Sequence, residues 1–425
     1  MAEIGPVSFG GLTTGLDTKN LIGQLLQLAR LPQKRLEQIR SRENARITVF
    51  KDLNSKLQAL STALKKLETA KSFFVRTPTV SDTTKLDATI ADSSQATVGT
   101  FSIGVKSLLA TEKFVFNNVA SDTSANITGQ NKTLTVKDQL TQATLFTVDT
   151  TNDGMSLQGL RDAINSATGN NGRVTATIFD TGDPITPFRL ELTADAAGTA
   201  RGFDVTLSSG FGLTQDTGAS VNATDAVFSV DGTTYTRTTN TITDIISGVT
   251  LNLKGITDAN DDATKRVTLT VSDDITAMAN NIKAIVSAYN DVRSFVASKS
   301  TLDQKNPPNN GPFVGDGTVR GIIDRLQTEL TRAVGGLPGD FDALSDLGIT
   351  TDKTGKLAVN DTTLSNALAA NIDAVSQIFV GGVADLAISG LARDTQPGGL
   401  IDIRVGGIQD KVRRLEDRIE REERR

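Results

Sequence analysis

The hydrophobic pattern of this 425-residue chain changes its period twice, which separates two helical ends from a β-rich middle. Up to about residue 70, and again from about residue 275, apolar side chains recur every three or four positions, as in helices that bury one face. From about Thr77 to Ser272 apolar and polar residues alternate, which indicates half-buried strands. The pattern therefore predicts an α+β fold with β-rich segments inserted between two helical halves.

The first helix is predicted to begin near Asp17, whose carboxylate can accept backbone N–H groups of the first turn. It follows the glycine-containing stretch GGLTTGLD at residues 10–17, which we interpret as a hinge. Pro32 ends or resets this helix. Its wide apolar stripe consists of Leu21, Ile22, Leu25, Leu26 and Ala29.

A second, longer helix is predicted from about Pro32 to Ala70, with a regular heptad repeat. Its two core series are Leu36, Glu43, Phe50, Leu57, Leu64 and Ile39, Arg46, Leu53, Leu60, Leu67. Most of these positions are apolar, so the helix requires a helical partner. Glu43 and Arg46 interrupt the pattern. They mark where the seam opens or where partner identity is set, or else the helix is simply solvent-exposed there, and we favour the exposed interpretation.

Heptad patterns return in the second half of the chain and supply the predicted partner helices. One series comprises Ile275, Met278, Ile282, Ile285, Tyr289, Val292 and Val296, and a C-terminal series comprises Ile408, Val412, Leu415 and Ile419. In the middle, Asp231-Gly232 predicts a two-residue hairpin turn. One helical island, SLQGLRDAINSATG, interrupts the strands there.

The predicted architecture is a discontinuous helical coiled-coil leg, built from both chain ends, with inserted antiparallel β-rich heads. The predicted segments are a terminal leg segment at 1–35, flexible in the monomer; a helical leg at 36–72 and 275–407; an inner head at 73–115 and 221–274; an outer head at 116–220; and a C-terminal coiled coil at 408–425. Because narrow seams repay little ordering entropy, we expect the outermost helices to order only on docking.

Composition argues against an enzyme. The chain has no cysteine and no histidine, which removes thiol nucleophiles, Ser-His-Asp triads and Cys/His metal sites. A net charge of −5 and an aromatic content of 4% give no reason to expect nucleic acid as a partner. The N-terminus lacks the pattern of a signal peptide, and no apolar run approaches the length of a membrane span.

Gly10 and Gly15 have the spacing of a phosphate-binding loop, but the residues that follow them cannot bind phosphate. Leu16 and Asp17 occupy the positions where that loop needs Lys and a hydroxyl residue. Leucine cannot neutralise phosphate, and aspartate would repel it. The stretch TTDKTGKLAVND also lacks the carboxylate spacing of a calcium loop and predicts a hairpin instead. We therefore predict no catalytic residue, no cofactor and no metal site.

Several stretches resemble the flagellar hook-associated protein 2 (FliD) family of filament caps. The N-terminal match comprises Gly11, Leu12, Thr14, Gly15, Leu16, Asp17, Leu21, Ile22, Leu25 and Pro32. Residues 157–180 are similar to the IN motif of flagellins and hook-associated proteins, with Ala163, Ile164, Asn165 and Val174 at its core. Residues 343–379 and the stretch GPFVGDGTVRGIIDRL resemble the family's C-terminal part.

This resemblance implies a structural cap at the flagellar tip that promotes folding and polymerisation of exported flagellin. It implies self-association into a pentameric ring, and further partners in flagellin, the hook–filament junction protein and a flagellar type III export chaperone. Export by that system without a cleaved signal peptide follows from the same resemblance, whereas the lack of a long apolar run predicts no membrane insertion. The alternative is a surface adhesin whose β-rich heads bind host mucin or matrix.

The residues expected to make assembly contacts are those of the terminal and heptad-patterned helices. They are Leu16, Asp17, Leu21, Ile22, Leu25, Leu26, Phe50, Leu53, Leu57, Ile282, Ile285, Tyr289, Ile408, Val412, Leu415 and Ile419.

Overall fold

The computed structural model describes residues 18–424 except 125, 151, 306–308 and 335–340. The chain forms two compact units. The helical unit contains the described residues up to Val75 and those from Asp274 onward, and the β unit spans Arg76–Asp273. The predicted α+β class, with one helical body built from both ends of the chain, is confirmed.

The helices, numbered through the whole chain, are α1 Thr18–Ala29, α2 Leu31–Lys65, α3 Ala70–Phe73, α4 Leu157–Asn165, α5 Ile275–Lys299, α6 Gly317–Thr331, α7 Asp361–Ala370, α8 Ile372–Ile378, α9 Ala384–Thr395 and α10 Leu400–Glu423. The strands are β1 Arg76–Val80, β2 Leu86–Ile90, β3 Gly99–Ser107, β4 Thr111–Val115, β5 Thr133–Asp138, β6 Thr144–Asp149, β7 Val174–Asp180, β8 Phe188–Ala197, β9 Phe203–Leu207, β10 Ala226–Val230, β11 Thr233–Arg237, β12 Thr241–Ile242, β13 Val249–Leu253, β14 Val267–Asp273, β15 Ile349–Thr351 and β16 Leu357–Val359.

The helical unit is organised around α2, which packs against α5, α9 and α10. Its heptad residues Leu53, Leu57, Leu60 and Leu64 are fully buried in one core together with aliphatic side chains of α5, α6 and α10. The β15–β16 hairpin joins this core through α5. The hydroxyl of Tyr289 donates to the carbonyl of Gly355 at 3.0 Å, and the Asn290 side chain bonds both backbone groups of Leu357 at 2.8 and 2.9 Å.

The end of α2 differs from the sequence-based expectation. The helix stops at Lys65 rather than near Ala70. Thr69 then starts α3 with a capping box, because its side chain accepts from the Ser72 N–H while the Ser72 hydroxyl accepts from the Thr69 N–H. These reciprocal bonds satisfy the N–H groups of a new helix and favour a break in the chain direction.

The start of α10 also differs, since the helix begins at Leu400 and runs unbroken through residues 407 and 408. Gly406 and Gly407 weaken the local helical signal because glycine is a poor helix former. Burial of Ile401, Val405 and Ile408 in the helical core offsets that weakness.

A stretch between Ile372 and Glu423 is long and apolar enough to cross a membrane by length and composition. It is not one continuous helix, because residues 380–382 leave helical geometry and residues 396–399 separate α9 from α10. Most of the apolar 18-residue window within it is buried inside the chain. We therefore assign it to the core of the helical unit.

The β unit contains two hydrophobic clusters, each between antiparallel sheets. One cluster lies between a five-stranded sheet, ordered β1-β14-β3-β10-β11, and a three-stranded sheet, ordered β12-β13-β2. The other is formed by sheets β4-β8-β7 and β6-β5-β9 together with α4. The predicted turn at Asp231-Gly232 is confirmed, since both residues have positive φ and Val230 pairs with Thr233.

The helical island of the β unit is confirmed as α4. Ser156 caps it by accepting from the Gly159 N–H at 3.1 Å. Its apolar face, Leu157, Leu160 and Ile164, is fully buried in the second cluster.

Because the helical core is separate from the β-unit clusters, a cavity in it should weaken only that unit. Leu57→Ala is expected to destabilise the helical unit by about 2–5 kcal/mol. Tyr289 reports on this unit alone once Tyr235, the other tyrosine, is replaced by Phe, since the chain has no Trp. Urea unfolding followed by Tyr289 emission measures the change.

The matched control is Leu192→Ala, which removes an equally buried leucine from the β unit. It should leave the Tyr289 transition in place. Equal displacement of that transition by both substitutions would contradict separate cores.

Candidate assembly surface

An exposed apolar face runs along α1. Leu21, Ile22, Leu25 and Leu26 are 46%, 56%, 59% and 53% exposed, and Leu28 and Leu31 continue the surface. From Asn20 to Ala29 the helix carries no charged residue. Contiguous exposed leucines of this kind mark an interaction surface on a soluble protein. The predicted stripe is therefore present, and in the free chain it faces solvent.

Six other predicted assembly residues lie in the interior. Phe50, Leu53, Leu57, Ile282, Ile285 and Tyr289 are at most 3% exposed and belong to the core of the helical unit. In this conformation they pack against the chain's own helices and present no surface to a second subunit. Leu16 and Asp17 lie outside the described residues.

The C-terminal heptad residues are covered by the chain itself. Ile408, Val412, Leu415 and Ile419 form the buried stripe of α10. At the distal end, Leu415 and Ile419 pack with Leu36 and Ile39 of α2 in a small separate cluster. The Gln33 side chain donates to Glu423 Oε1 at 2.9 Å, which joins the two helices near their ends. The α2–α10 seam is thus paired, whereas the α1 face is not.

The polar break in the α2 heptads is buried, so the solvent-exposed interpretation was wrong for Glu43. Only 7% of Glu43 is exposed. Its carboxylate accepts from Lys411 Nζ of α10 at 2.6 Å and from Arg46 Nη1 at 3.2 Å. Arg46 is partly buried and extends the network toward α6.

Asp316 joins three helices at this break. Its Oδ1 caps α6 by accepting from the backbone N–H groups of Thr318 and Val319. Its Oδ2 accepts from Arg46 Nη2 at 3.3 Å and from Arg404 Nη2 at 2.8 Å. Five charged side chains from α2, α10 and the start of α6 therefore compensate one another, and we call this group the seam network.

Sequence reasoning missed three members of the seam network, Asp316, Arg404 and Lys411. One signal was available: Arg404 and Lys411 are seven residues apart, so they share a side of α10, and Glu43 offers the opposite charge on α2. No local pattern reveals which distant helix Glu43 faces.

The seam network controls the ionisation of Glu43. Burial alone raises the pKa of its carboxyl, but the Lys411 hydrogen bond and the charges of Lys411 and Arg46 outweigh that effect and hold the pKa below its ordinary value of 4.5. The network therefore keeps a buried carboxylate charged and holds α2 against α10.

Among the described residues no group of acidic side chains is arranged to bind a metal ion.

Comparison with known proteins gives a consistent result along the chain. Models of the N-terminal and C-terminal parts of flagellar hook-associated protein 2 match residues 14–113 and 223–425. The A-type flagellar hook-associated protein 2 of Pseudomonas aeruginosa is 29% identical over 96% of this chain and 88% of its own length. The flagellar hook-associated protein 2 of Escherichia coli K12 is 27% identical over 96% and 89%.

A solved structure shares the fold. The D1-D2-D3 domains of the flagellar cap protein FliD from Escherichia coli superpose with a TM-score of 0.61 at 26% sequence identity. The match covers 85% of this chain and 99% of that one.

Removing Lys411, one of the three cations of the seam network, should weaken the α2–α10 seam. Because the native pKa of Glu43 is lowered, its carboxylate stabilises the fold above about pH 4.5, and this contribution is lost as pH falls through the lowered pKa. Lys411→Met is expected to cost about 1–3 kcal/mol at pH 7. It should also raise the pH at which protonation of Glu43 removes this stabilisation. Urea unfolding of the Tyr235→Phe chain, followed by Tyr289 emission at several pH values, measures both changes.

Arg413→Met is the control, since it removes an exposed cation of α10 that pairs with Asp410 on the same helix. Its cost should stay below about 0.5 kcal/mol. If both substitutions have the same effect at every pH, the seam network does not stabilise the seam.

Proposed function

The chain belongs to the flagellar hook-associated protein 2 (FliD) family, a structural family rather than an enzyme family, and on that basis we propose that it caps the growing tip of the flagellar filament. The observation that carries the proposal is the likeness to the FliD D1-D2-D3 structure over 85% of the chain. The exposed apolar face of α1 supports it, because a cap must dock on other flagellar subunits through a surface left uncovered in the free chain.

In the proposed mechanism the two units have different roles: the β unit forms the body of the cap, and the helical unit docks on other subunits. The β unit has its own buried clusters and can stay folded outside the cell while flagellin folds and polymerises beneath the cap. The helical unit presents α1 to neighbouring subunits of a cap ring, to flagellin or to the hook–filament junction protein. Burying four half-exposed leucine and isoleucine side chains contributes roughly 1 kcal/mol or more each, and these contacts would repay the ordering of α1.

Export and assembly follow from the same proposal. We propose that the chain leaves the cell through the flagellar type III system and assembles into a pentameric ring. An exposed apolar α1 would need cover before assembly, which supports a cytoplasmic export chaperone as a partner. In this proposal α1 binds the export chaperone in the cytoplasm and binds flagellar subunits after export.

Gene deletion separates the cap from an adhesin. Loss of filaments, with monomeric flagellin released into the medium, is expected for a cap. Intact filaments with lost attachment to mucin or matrix would overturn the cap proposal in favour of an adhesin. Electron microscopy of the cells and flagellin assay of the medium provide the two measurements.

Complementation of the deletion strain then tests α1. Leu25→Asp places a charge in the middle of the apolar face and should abolish filament growth, while the purified variant keeps the wild-type unfolding transition. Gln27→Asp adds the same charge to the polar side of α1 and should restore filaments. Normal filaments with Leu25→Asp would show that α1 is not the docking surface. The conclusion from the gene deletion would be unaffected.

A further inference from the structure

A second group of buried charges in the helical unit lies between α6 and α9 and is not balanced like the seam network. Asp394, in the last turn of α9, is 0% exposed. Arg325 Nη2 of α6 donates to Asp394 Oδ2. Glu329, one turn after Arg325, has its Oε1 3.7 Å from Arg325 Nε, which is an ion pair but too long for a hydrogen bond. One guanidinium therefore serves two carboxyl groups.

Each of these carboxyls has a buried oxygen without a donor among the described residues. Asp394 Oδ1 and Glu329 Oε2 are buried and accept no hydrogen bond from the described part of the chain. The Glu329 carboxyl lies directly against α9, because its Oε2 is 2.7 Å from the position that a Cβ on Gly390 would occupy. Gly390 precedes Asp394 by about one helical turn, so both carboxyls reach the same part of α9.

The surroundings offer little compensation. Arg393 is the other cation acting on both groups. The faces that α2 and α10 bury are aliphatic or aromatic apart from Glu43, whose partners belong to the seam network, and the segment Phe379–Val383 has no charged residue. Asp394 also lies at a helix C-terminus, where the backbone carbonyls disfavour negative charge.

We propose that Glu329 and Asp394 form a proton-binding site that takes up one proton on folding, so that α6 and α9 hold together more tightly in mild acid than at neutral pH. A proton removes one of two negative charges that share Arg325, one on the fully buried Asp394 and one on the half-buried Glu329. It also converts an acceptor-only carboxylate into an O–H donor. Two carboxyls that share a counter-ion in a common environment commonly retain a proton in this way.

The raised pKa values determine the direction in which stability changes with pH. Burial raises the pKa of Asp394 and of Glu329, more than Arg325 and Arg393 lower them, from ordinary values of 3.8 and 4.5. A raised native pKa gives stabilisation that is complete below the ordinary value and is lost as pH rises through the raised one. This direction is opposite to that of Glu43.

The test uses the full chain with Tyr235→Phe, so that Tyr289 emission reports urea unfolding of the helical unit between pH 5 and 8. The wild-type midpoint should rise as pH falls, with the unfolding constant changing by up to about tenfold per pH unit for one proton. Asp394→Asn, which cannot ionise, should lose this dependence. Asp324→Asn, an exposed position of α6, should keep it.

A direct titration makes the outcome independent of mutant folding. Carboxyl carbon NMR of the unmodified chain, compared with Glu329→Gln for assignment, should show at least one of the two carboxyls titrating above its ordinary value. The proposal is overturned if both titrate at or below 3.8 and 4.5, or if a folded Asp394→Asn variant parallels the wild type across the pH range.

Discussion

The pairing of α2 with α10 is the interaction on which the helical unit depends. It joins segments from opposite ends of the chain, since Glu43 and Lys411 are separated by 368 positions and Gln33 and Glu423 by 390. Loop-closure entropy opposes such contacts, although its cost grows only slowly with length. The β unit, which folds around its own clusters, shortens the effective loop. A long leucine stripe and a compensated charge network then hold the two ends together.

Much of this fold is visible in the sequence because it is encoded in local periodicity. The leucine heptads of α2, the α4 island and the Asp231-Gly232 turn each follow from residues close together in the chain. The apolar stripe of α1 was identified in the same way. Predicted domain bounds within the two units remain predictions.

The remaining features depend on contacts that no local pattern specifies. Glu43 looks like a solvent-exposed interruption until Lys411 and Asp316 are placed beside it. The break at Lys65 depends on a capping box at Thr69 that competes with a continuing helix. Similarly, the glycines before Ile408 hide the first turns of α10, because only tertiary burial shows that the helix continues. Burial of the central heptads also moves the candidate docking surface from the whole leg to α1.

The uncovered face of α1 connects the fold to the proposed function, because it is a contiguous apolar surface that the α2–α10 pairing leaves free. Hydrogen exchange on residues 18–31, in the free chain and in the cap bound to filament tips, tests this most directly. We expect rapid exchange in the free chain, where α1 lacks tertiary cover, and strong protection at the tip. Strong protection of α1 in the isolated monomer, or none at the tip, would contradict the account.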